Sequence, residues 1–159
     1  ARKLATQLPK GYLTPITPTM TYGDALLAPT PLYSPVTEAL HKAGITPHYS
    51  VNITGHGWRK LLRHPKPMTY RIHKLPTVPA VLSFIQSQAQ MSVADAYATF
   101  NMGAGFALFV PASDAAQTVA VAQSLGIEAW DAGRVETGEK QLLIEPLDLR
   151  FGADALHVR

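Results

Sequence analysis

Cysteine is absent from this sequence, which excludes disulfide bonds, zinc–thiolate sites and thiol catalysis in the chain. Apolar runs long enough to cross a membrane, about 18 residues, are also absent. Charged residues are sparse at 16%, while 47% of the 159 residues are hydrophobic, which is typical of one globular domain with a sizeable core. No secretory leader is visible at Ala1, so we expect a cytoplasmic protein without membrane contact.

Acidic residues are missing between Glu38 and Asp95. Seven basic residues fall in that window, together with five of the six histidines. This asymmetry predicts an anionic partner, which could be a phosphate, a nucleotide or a nucleic acid. The alternative is a solvated basic surface that binds nothing specific.

Proline is scarce in the second half, since eleven of the 13 prolines lie between Pro9 and Pro79. Residues 1–20 therefore read as an extended linker-like segment, followed by one domain at 21–159. Within that domain, hydrophobic periodicity and turn signals predict helices at 34–43, 58–63, 79–88, 92–99 and 113–125. They predict strands at 22–32 (with a turn), 48–53, 68–72, 104–110 (central in its sheet), 127–136, 141–145 and 147–151 (an edge). The interleaving indicates an α+β fold, a mixed β-sheet covered by helices.

Two glycine-containing bends each adjoin an apolar strand. One is Asn52-Ile53-Thr54-Gly55-His56-Gly57, and the other is Asn101-Met102-Gly103-Ala104-Gly105. Glycine is expected where the backbone turns with positive φ or approaches another segment closely. We expect the two bends to line one groove that accepts an anion, and Gly103→Val to be destabilising if φ at 103 is positive.

Four motifs, in this order, resemble the C-terminal domain of aminoimidazole ribonucleotide (AIR) synthase, the phosphoribosylformylglycinamidine cyclo-ligase of purine biosynthesis: Leu26-Leu27-Ala28-Pro29-Thr30-Pro31-Leu32-Tyr33, Asn52-Ile53-Thr54-Gly55-His56-Gly57, Ala98-Thr99-Phe100-Asn101-Met102-Gly103 and Ala132-Gly133-Arg134-Val135. The similarity covers about residues 22–145. It implies the AIR-synthase C-terminal-domain fold and a missing N-terminal ATP-binding domain. It further implies ATP and magnesium as cofactors of the full-length enzyme, a phosphorylated small-molecule substrate, and a homodimer. Alone, the domain is expected to be inactive.

Departures from the family pattern indicate an AIR-synthase-related paralogue. Asn52 replaces the family's histidine, His56 replaces its middle glycine, Leu61 begins a different continuation, and Pro31 replaces an arginine. Asn52 can form hydrogen bonds but exchanges no proton near neutral pH.

The resemblance and the motifs nominate substrate- or phosphate-binding residues, namely Asn52, Thr54, Gly55, His56, Gly57, Arg59, Asn101 and Gly103. Each has a structural alternative, such as a plain strand-to-helix turn for 54–57 and a buried Asn101 that satisfies backbone groups. No catalytic residue is assigned, and no metal site is expected because the spacings of His56, His64 and His73 fit no standard ligand pattern. The rival function is a non-catalytic nucleotide- or nucleic-acid-binding module that uses the basic segment 56–74.

Overall fold

A mixed four-stranded sheet forms one side of the structure, which is a computed structural model describing residues 1–156. Its strands are β4 (Met68–Ile72), β6 (Gly133–Thr137), β7 (Gln141–Ile144) and β8 (Leu149–Gly152), in the order β6-β4-β7-β8. β4 runs antiparallel to β6 and parallel to β7, although β6 and β7 are consecutive in sequence. Together with the helices, this mixed sheet confirms the predicted α+β class, with β8 at the sheet edge as expected.

The residues between β6 and β7 cross over the start of β4, and Thr69 supports the crossing. The buried Thr69 hydroxyl donates to the Glu139 carbonyl at 3.0 Å and accepts from Gln141 Nε2 at 3.1 Å. Both partners lie at the crossing, so the Thr69 hydroxyl gives a hydrogen-bond partner to two polar groups that lie next to a buried strand.

A separate antiparallel pair joins β3 (Tyr49–Asn52) to β5 (Phe106–Phe109), with Asn52 opposite Phe106. The prediction that the apolar 104–110 strand is central is wrong, because within residues 1–156 β5 pairs with β3 alone. Its continuous apolar character has another cause: Phe109 packs on the main core, while Leu108 packs against the opposite cluster. Both faces of β5 are therefore covered by other residues. A strand that is covered on both faces has an unbroken apolar sequence, whether or not it is central in a sheet.

Helices complete the fold: α1 (Arg2–Ala5), α2 (Tyr22–Leu26), α3 (Ser34–Lys42), α4 (Ala80–Gln88), α5 (Val93–Thr99) and α6 (Ala115–Ser124), with a 3₁₀ helix at Gly57–Arg63. The main core lies between the four-stranded sheet, the 3₁₀ helix and α5, and is built around Trp58, Tyr70 and Leu142. A second cluster packs α3 against α6 through Leu40 and Ala122. None of the helices within residues 1–156 has the length and apolarity needed to cross a lipid bilayer.

Local signals in the sequence account for several of these elements. Pro35 lies in the first turn of α3, where its fixed φ suits a helix, and Tyr33 occupies the capping position. The Ser92 hydroxyl accepts from the Asp95 backbone N–H at 3.0 Å and so caps the start of α5. Gly126 follows α6 with φ of 74°, a left-handed conformation that ends the helix.

The prediction that residues 1–20 are extended is wrong. They form α1, a 3₁₀ turn at Gly11–Leu13 and a short hairpin of β1 (Pro15–Thr17) with β2 (Met20–Thr21). Leu4 is buried against Tyr22 and Ile85, which supplies the apolar contacts that proline content alone could not predict. The division into a linker at 1–20 and a domain at 21–159 stays a prediction, and 157–159 lie outside the described residues.

The predicted strand within 22–32 is also wrong, because residues 22–26 form α2. Thr21 and Asp24 make a reciprocal capping box, with the Asp24 N–H donating to Thr21 Oγ1 at 3.2 Å and the Thr21 N–H donating to Asp24 Oδ2 at 3.1 Å. These hydrogen bonds lower the pKa of Asp24, so the cap is made by the ionised carboxylate. Two satisfied backbone groups at the N-terminus favour helix over strand.

Gly103 is expected to be costly to replace, because it combines a positive φ with a close backbone contact. Its φ is 102°, and an added Cβ would lie 2.7 Å from the Thr77 carbonyl oxygen. Gly126 is a matched control, with positive φ but nothing within 4 Å of an added Cβ. We expect Gly126→Ala to cost about 1 kcal/mol of unfolding free energy and Gly103→Ala about 3 kcal/mol or more. Denaturant titration of both variants measures this, and equal losses would contradict the close-approach argument.

Candidate anion-binding site

The loop at 54–57 is held against the end of α5 by a glycine. Gly57 has φ of 54°, and its N–H donates to the Thr54 carbonyl at 2.6 Å. A Cβ at this position would overlap the Tyr97 carbonyl oxygen and lie 2.7 Å from the Ala98 carbonyl carbon. Only glycine therefore allows the loop to turn here and contact α5.

The two glycine-containing bends are in contact, whereas the expectation that they line one anion-accepting groove stays a prediction. The Ile53 N–H donates to the Gly105 carbonyl at 2.9 Å, which extends the β3–β5 pairing by one residue. The Trp58 indole N–H donates to the Asn101 carbonyl at 2.8 Å. Trp58 is 2% exposed, so this hydrogen bond ties the two bends from within the core.

Two hydrogen-bonded pairs sit on the loop and the following 3₁₀ helix, and we call the four residues Thr54, His56, Lys60 and Arg63 the cation cluster. Lys60 Nζ donates to Thr54 Oγ1 at 2.8 Å, and Arg63 Nη2 lies 3.4 Å from His56 Nδ1. Burial, followed by the nearby charge of Arg63, lowers the pKa of Lys60. Among the described residues no carboxylate pairs with Lys60 or Arg63.

Arg59, which the sequence nominates as a ligand-binding residue, makes hydrogen bonds to two backbone carbonyls. Its Nε donates to the Ala98 carbonyl at 2.9 Å, and its Nη1 donates to the Ala155 carbonyl at 2.7 Å. The guanidinium thus joins the last turn of α5 to the 3₁₀ turn at Ala153–Leu156. A role for Arg59 in ligand binding stays a prediction, since two of its donors are already used.

Asn101 and Gly103 are likewise engaged within the protein. The Gly103 N–H donates to Asn101 Oδ1 at 3.1 Å, which closes a local turn. Gly103 approaches the segment at 76–79 rather than the 54–57 loop. These contacts account for both residue types without a ligand, and their assignment to the site stays a prediction.

Asn52, one of the nominated residues, lines a cavity of about 390 Å³. Asn52 and Thr54 are exposed while Val51 and Ile53 are buried, so the alternating burial of β3 continues for two residues beyond the end of the strand. Phe106 lines the same cavity, together with Thr30, Pro31, Leu32, Tyr33, Ser34 and Thr37.

Sequence reasoning missed the aromatic wall of this cavity. The rings of Tyr33 and Phe106 stack with centroids 5.0 Å apart and an interplanar angle of 11°. A Cβ at Gly105 would overlap the Tyr33 hydroxyl, so this glycine makes room for the stacked tyrosine. Burial raises the pKa of Tyr33, so its phenol is neutral at physiological pH. In the sequence, Gly105 next to an apolar strand indicates a close approach at this position, but it does not indicate that Tyr33 is the residue that approaches.

The basic segment 56–74 does not form one continuous cationic surface. Arg71 lies on β4 and makes ion pairs with Glu136 at 3.1 Å and with Glu145 at 2.7 Å. With Arg59 bound to backbone carbonyls, two cations of the segment are used internally. The residues described here also contain no group of three or more His, Asp or Glu side chains placed to hold a metal ion.

Comparison with protein-family models gives no match. Among curated proteins, the chain is 34% identical over 117 residues to the phosphoribosylformylglycinamidine cyclo-ligase of Methanococcus vannielii, covering 73% of this chain and 33% of that protein. It is 36% identical over 132 residues to the enzyme of that name from Rippkaea orientalis, covering 80% and 38%. With that of a Picosynechococcus species the identity is 31% over 126 residues, covering 77% and 37%. The chain thus spans about a third of the length of the curated relatives it matches.

Replacing Arg59 is expected to lower stability rather than anion affinity. Arg59→Met removes two charge-assisted hydrogen bonds to carbonyls and should cost about 2 kcal/mol of unfolding free energy. The Arg63 side chain is exposed, so Arg63→Met serves as the control. It should change the free energy of unfolding by less than about 0.5 kcal/mol. Thermal and urea unfolding measure both effects. Equal stability of the two variants would show that the Arg59 contacts contribute little.

Proposed function

We propose that this chain, an AIR-synthase-related domain by its similarity to phosphoribosylformylglycinamidine cyclo-ligases, supplies phosphate- and substrate-binding loops to an ATP-dependent cyclo-ligase-like enzyme of purine biosynthesis. We assign its α+β architecture to the fold of the AIR-synthase C-terminal domain. The chain spans about a third of the length of its relatives. We therefore assign most ATP contacts to a separate N-terminal ATP-binding domain. Without that domain, the chain described here is inactive.

The cation cluster is the observation that carries the proposal. Lys60 and Arg63 have no carboxylate partner within residues 1–156, and Lys60 is already fixed by its 2.8 Å hydrogen bond to Thr54. In the described part of the chain, neither Gly55 nor His56 donates its backbone N–H to another residue. A phosphate group at this loop would therefore receive charge-assisted hydrogen bonds from preplaced donors.

The reaction of the proposed family explains why such a cluster is useful. ATP phosphorylates the amide oxygen of the formylglycinamidine substrate, a nitrogen then attacks that carbon, and phosphate leaves as the imidazole ring closes. Phosphoryl transfer depends on positioning and on stabilising negative charge more than on a covalent nucleophile. In this proposal Lys60, Thr54 and the loop amides hold a substrate phosphate, and Arg63, hydrogen-bonded to His56, adds positive charge.

The two implied cofactors fit this chain differently. The cation cluster suits the phosphates of ATP or of the substrate, whereas the residues described here offer no acidic cluster for magnesium. We therefore place the metal ligands on the N-terminal domain and derive no step from them in this chain. Homodimer formation by the full-length enzyme and a cytoplasmic location stay predictions.

Nucleic-acid binding through residues 56–74 has less support. A strand-binding surface needs an uninterrupted row of cations with exposed aromatic platforms. Arg59 and Arg71 are engaged internally, and Trp58 and Tyr70 are each 2% exposed. The basic segment is therefore better suited to one small anion than to a polyanion.

Titration of the chain with ribose 5-phosphate tests the phosphate site. Loss of one charge-assisted hydrogen bond in Lys60→Met should weaken binding about tenfold or more. Lys66→Met removes a neighbouring exposed charge and is the matched control, with less than about a twofold effect expected. Absence of saturable binding, or equal losses in both variants, would contradict the assignment.

Phosphate affinity should also depend on pH. Because burial lowers the pKa of Lys60, its ammonium loses its proton at a lower pH than an ordinary lysine does. As the pH is raised, affinity for ribose 5-phosphate should therefore begin to fall before the usual lysine pKa of about 10.4 is reached. Calorimetric titrations at several pH values measure this, with Lys60→Met as the variant in which the alkaline decrease is reduced.

A further inference from the structure

A second cavity, of about 360 Å³, shares no lining residue with the cation cluster. One wall is the segment 74–77, which follows β4, and the other is formed by Gln123 of α6 and the segment 128–130, which precedes β6. Small-molecule sites in proteins usually measure about 300–1,000 Å³, so this cavity suits a ligand at the small end of that range. The proposed phosphate site gives it no role.

Hydrogen bonds hold the two walls of this cavity together. The Trp130 indole N–H donates to the Lys74 carbonyl at 3.3 Å, and the Lys74 N–H donates to the Ala132 carbonyl at 3.2 Å. Within the second wall, Gln123 Nε2 donates to the Ala129 carbonyl at 3.0 Å. The cavity is therefore formed before a ligand arrives, which lowers the cost of ordering its walls on binding.

One basic and one acidic residue line this cavity without pairing with each other. Lys74 and Glu128 are both exposed, and the ion pairs within residues 1–156 are made by Arg71 and Arg150 instead. Charge-assisted hydrogen bonds are about twice as strong as neutral ones. A ligand that carries a carboxylate and an ammonium can therefore use both charges of the cavity at once.

Apolar groups lie next to the basic residue. The hydrogen bond from the Trp130 indole to the Lys74 carbonyl fixes the ring beside that residue, and Leu75 and Pro76 line the cavity with it. All three apolar side chains are half-buried, so each keeps some surface that a ligand can cover. Covering apolar surface is favourable, which favours a ligand with an apolar part as well as two charges.

We propose that this cavity binds a free α-amino acid with an apolar side chain. Lys74 pairs with the α-carboxylate, Glu128 pairs with the α-ammonium, and the Trp130 indole contacts the side chain of the ligand. At neutral pH a free amino acid carries both charges on one carbon atom. Residues inside a peptide carry neither charge, because both groups are in peptide bonds. The site is separate from the cation cluster and independent of the proposed cyclo-ligase role.

Fluorescence titration of the chain with leucine tests the proposal. Trp130 is one of two tryptophans, and the other, Trp58, is 2% exposed in the core, so a change in emission on binding should come from Trp130. 4-Methylpentanoate is leucine without the ammonium, and 3-methylbutylamine is leucine without the carboxylate. Each should bind about tenfold more weakly than leucine or worse, because one charge-assisted pair is lost.

Variants of the two charged residues identify the site. Lys74→Met and Glu128→Gln should each weaken leucine binding about tenfold. Lys42→Met and Glu38→Gln are the matched controls, since both residues are exposed on α3 and neither lines the cavity. The controls should change the affinity by less than about twofold.

Calorimetric titration gives the same affinities without relying on the indole signal. Absence of leucine binding by both methods, or equal affinities for leucine and its two analogues, would overturn the proposal. So would leucine affinities that Lys74→Met and Glu128→Gln reduce no more than the control variants do. All four replaced side chains are exposed, so the variants should stay folded, and circular dichroism checks this.

Discussion

The close contact between Gly57 and the end of α5 is the constraint on which the candidate site depends. A side chain at residue 57 would overlap the backbone of Tyr97 and Ala98. With glycine there, the loop turns sharply and the 3₁₀ helix begins at once, burying Trp58 and directing Lys60 back towards Thr54. The same contact brings the Arg59 guanidinium within reach of the Ala98 carbonyl. The absence of a Cβ at residue 57 therefore determines the contacts of the next three residues, Trp58, Arg59 and Lys60.

Much of the fold could be predicted from the sequence because its signals are local. The β4 strand, the capped start of α5 and the Gly126 stop are each determined by a few neighbouring residues. The similarity to cyclo-ligases likewise confirms the AIR-synthase-related assignment made from four short motifs. Wrong predictions arose where distant contacts decide: Leu4 is buried by Ile85, and β5 is covered on both faces without being central in a sheet.

The candidate site was predictable in part. Glycine spacing was enough to predict that the two bends meet, because the residue type reports a close approach. Glycine spacing could not predict which of Arg59 and Lys60 lies beside Thr54. Adjacent residues of a 3₁₀ helix point in directions about 120° apart, and the orientation of the helix against the rest of the protein decides which one faces the loop. Nor could glycine spacing pair Tyr33 with Phe106, which are distant in sequence and meet only because Gly105 leaves space.

The placement of β4 between β6 and β7 has a consequence for biosynthesis. β4 ends at residue 72, and both of its hydrogen-bonding neighbours lie within residues 133–144. As the ribosome releases the chain, Tyr70 and Ile72 have no sheet to join until residues 133–144 have emerged. Such long-range pairing slows folding and leaves an apolar strand open to mispairing. While residues 73–132 are being made, β4 is therefore an unpaired apolar segment of the kind that chaperones bind.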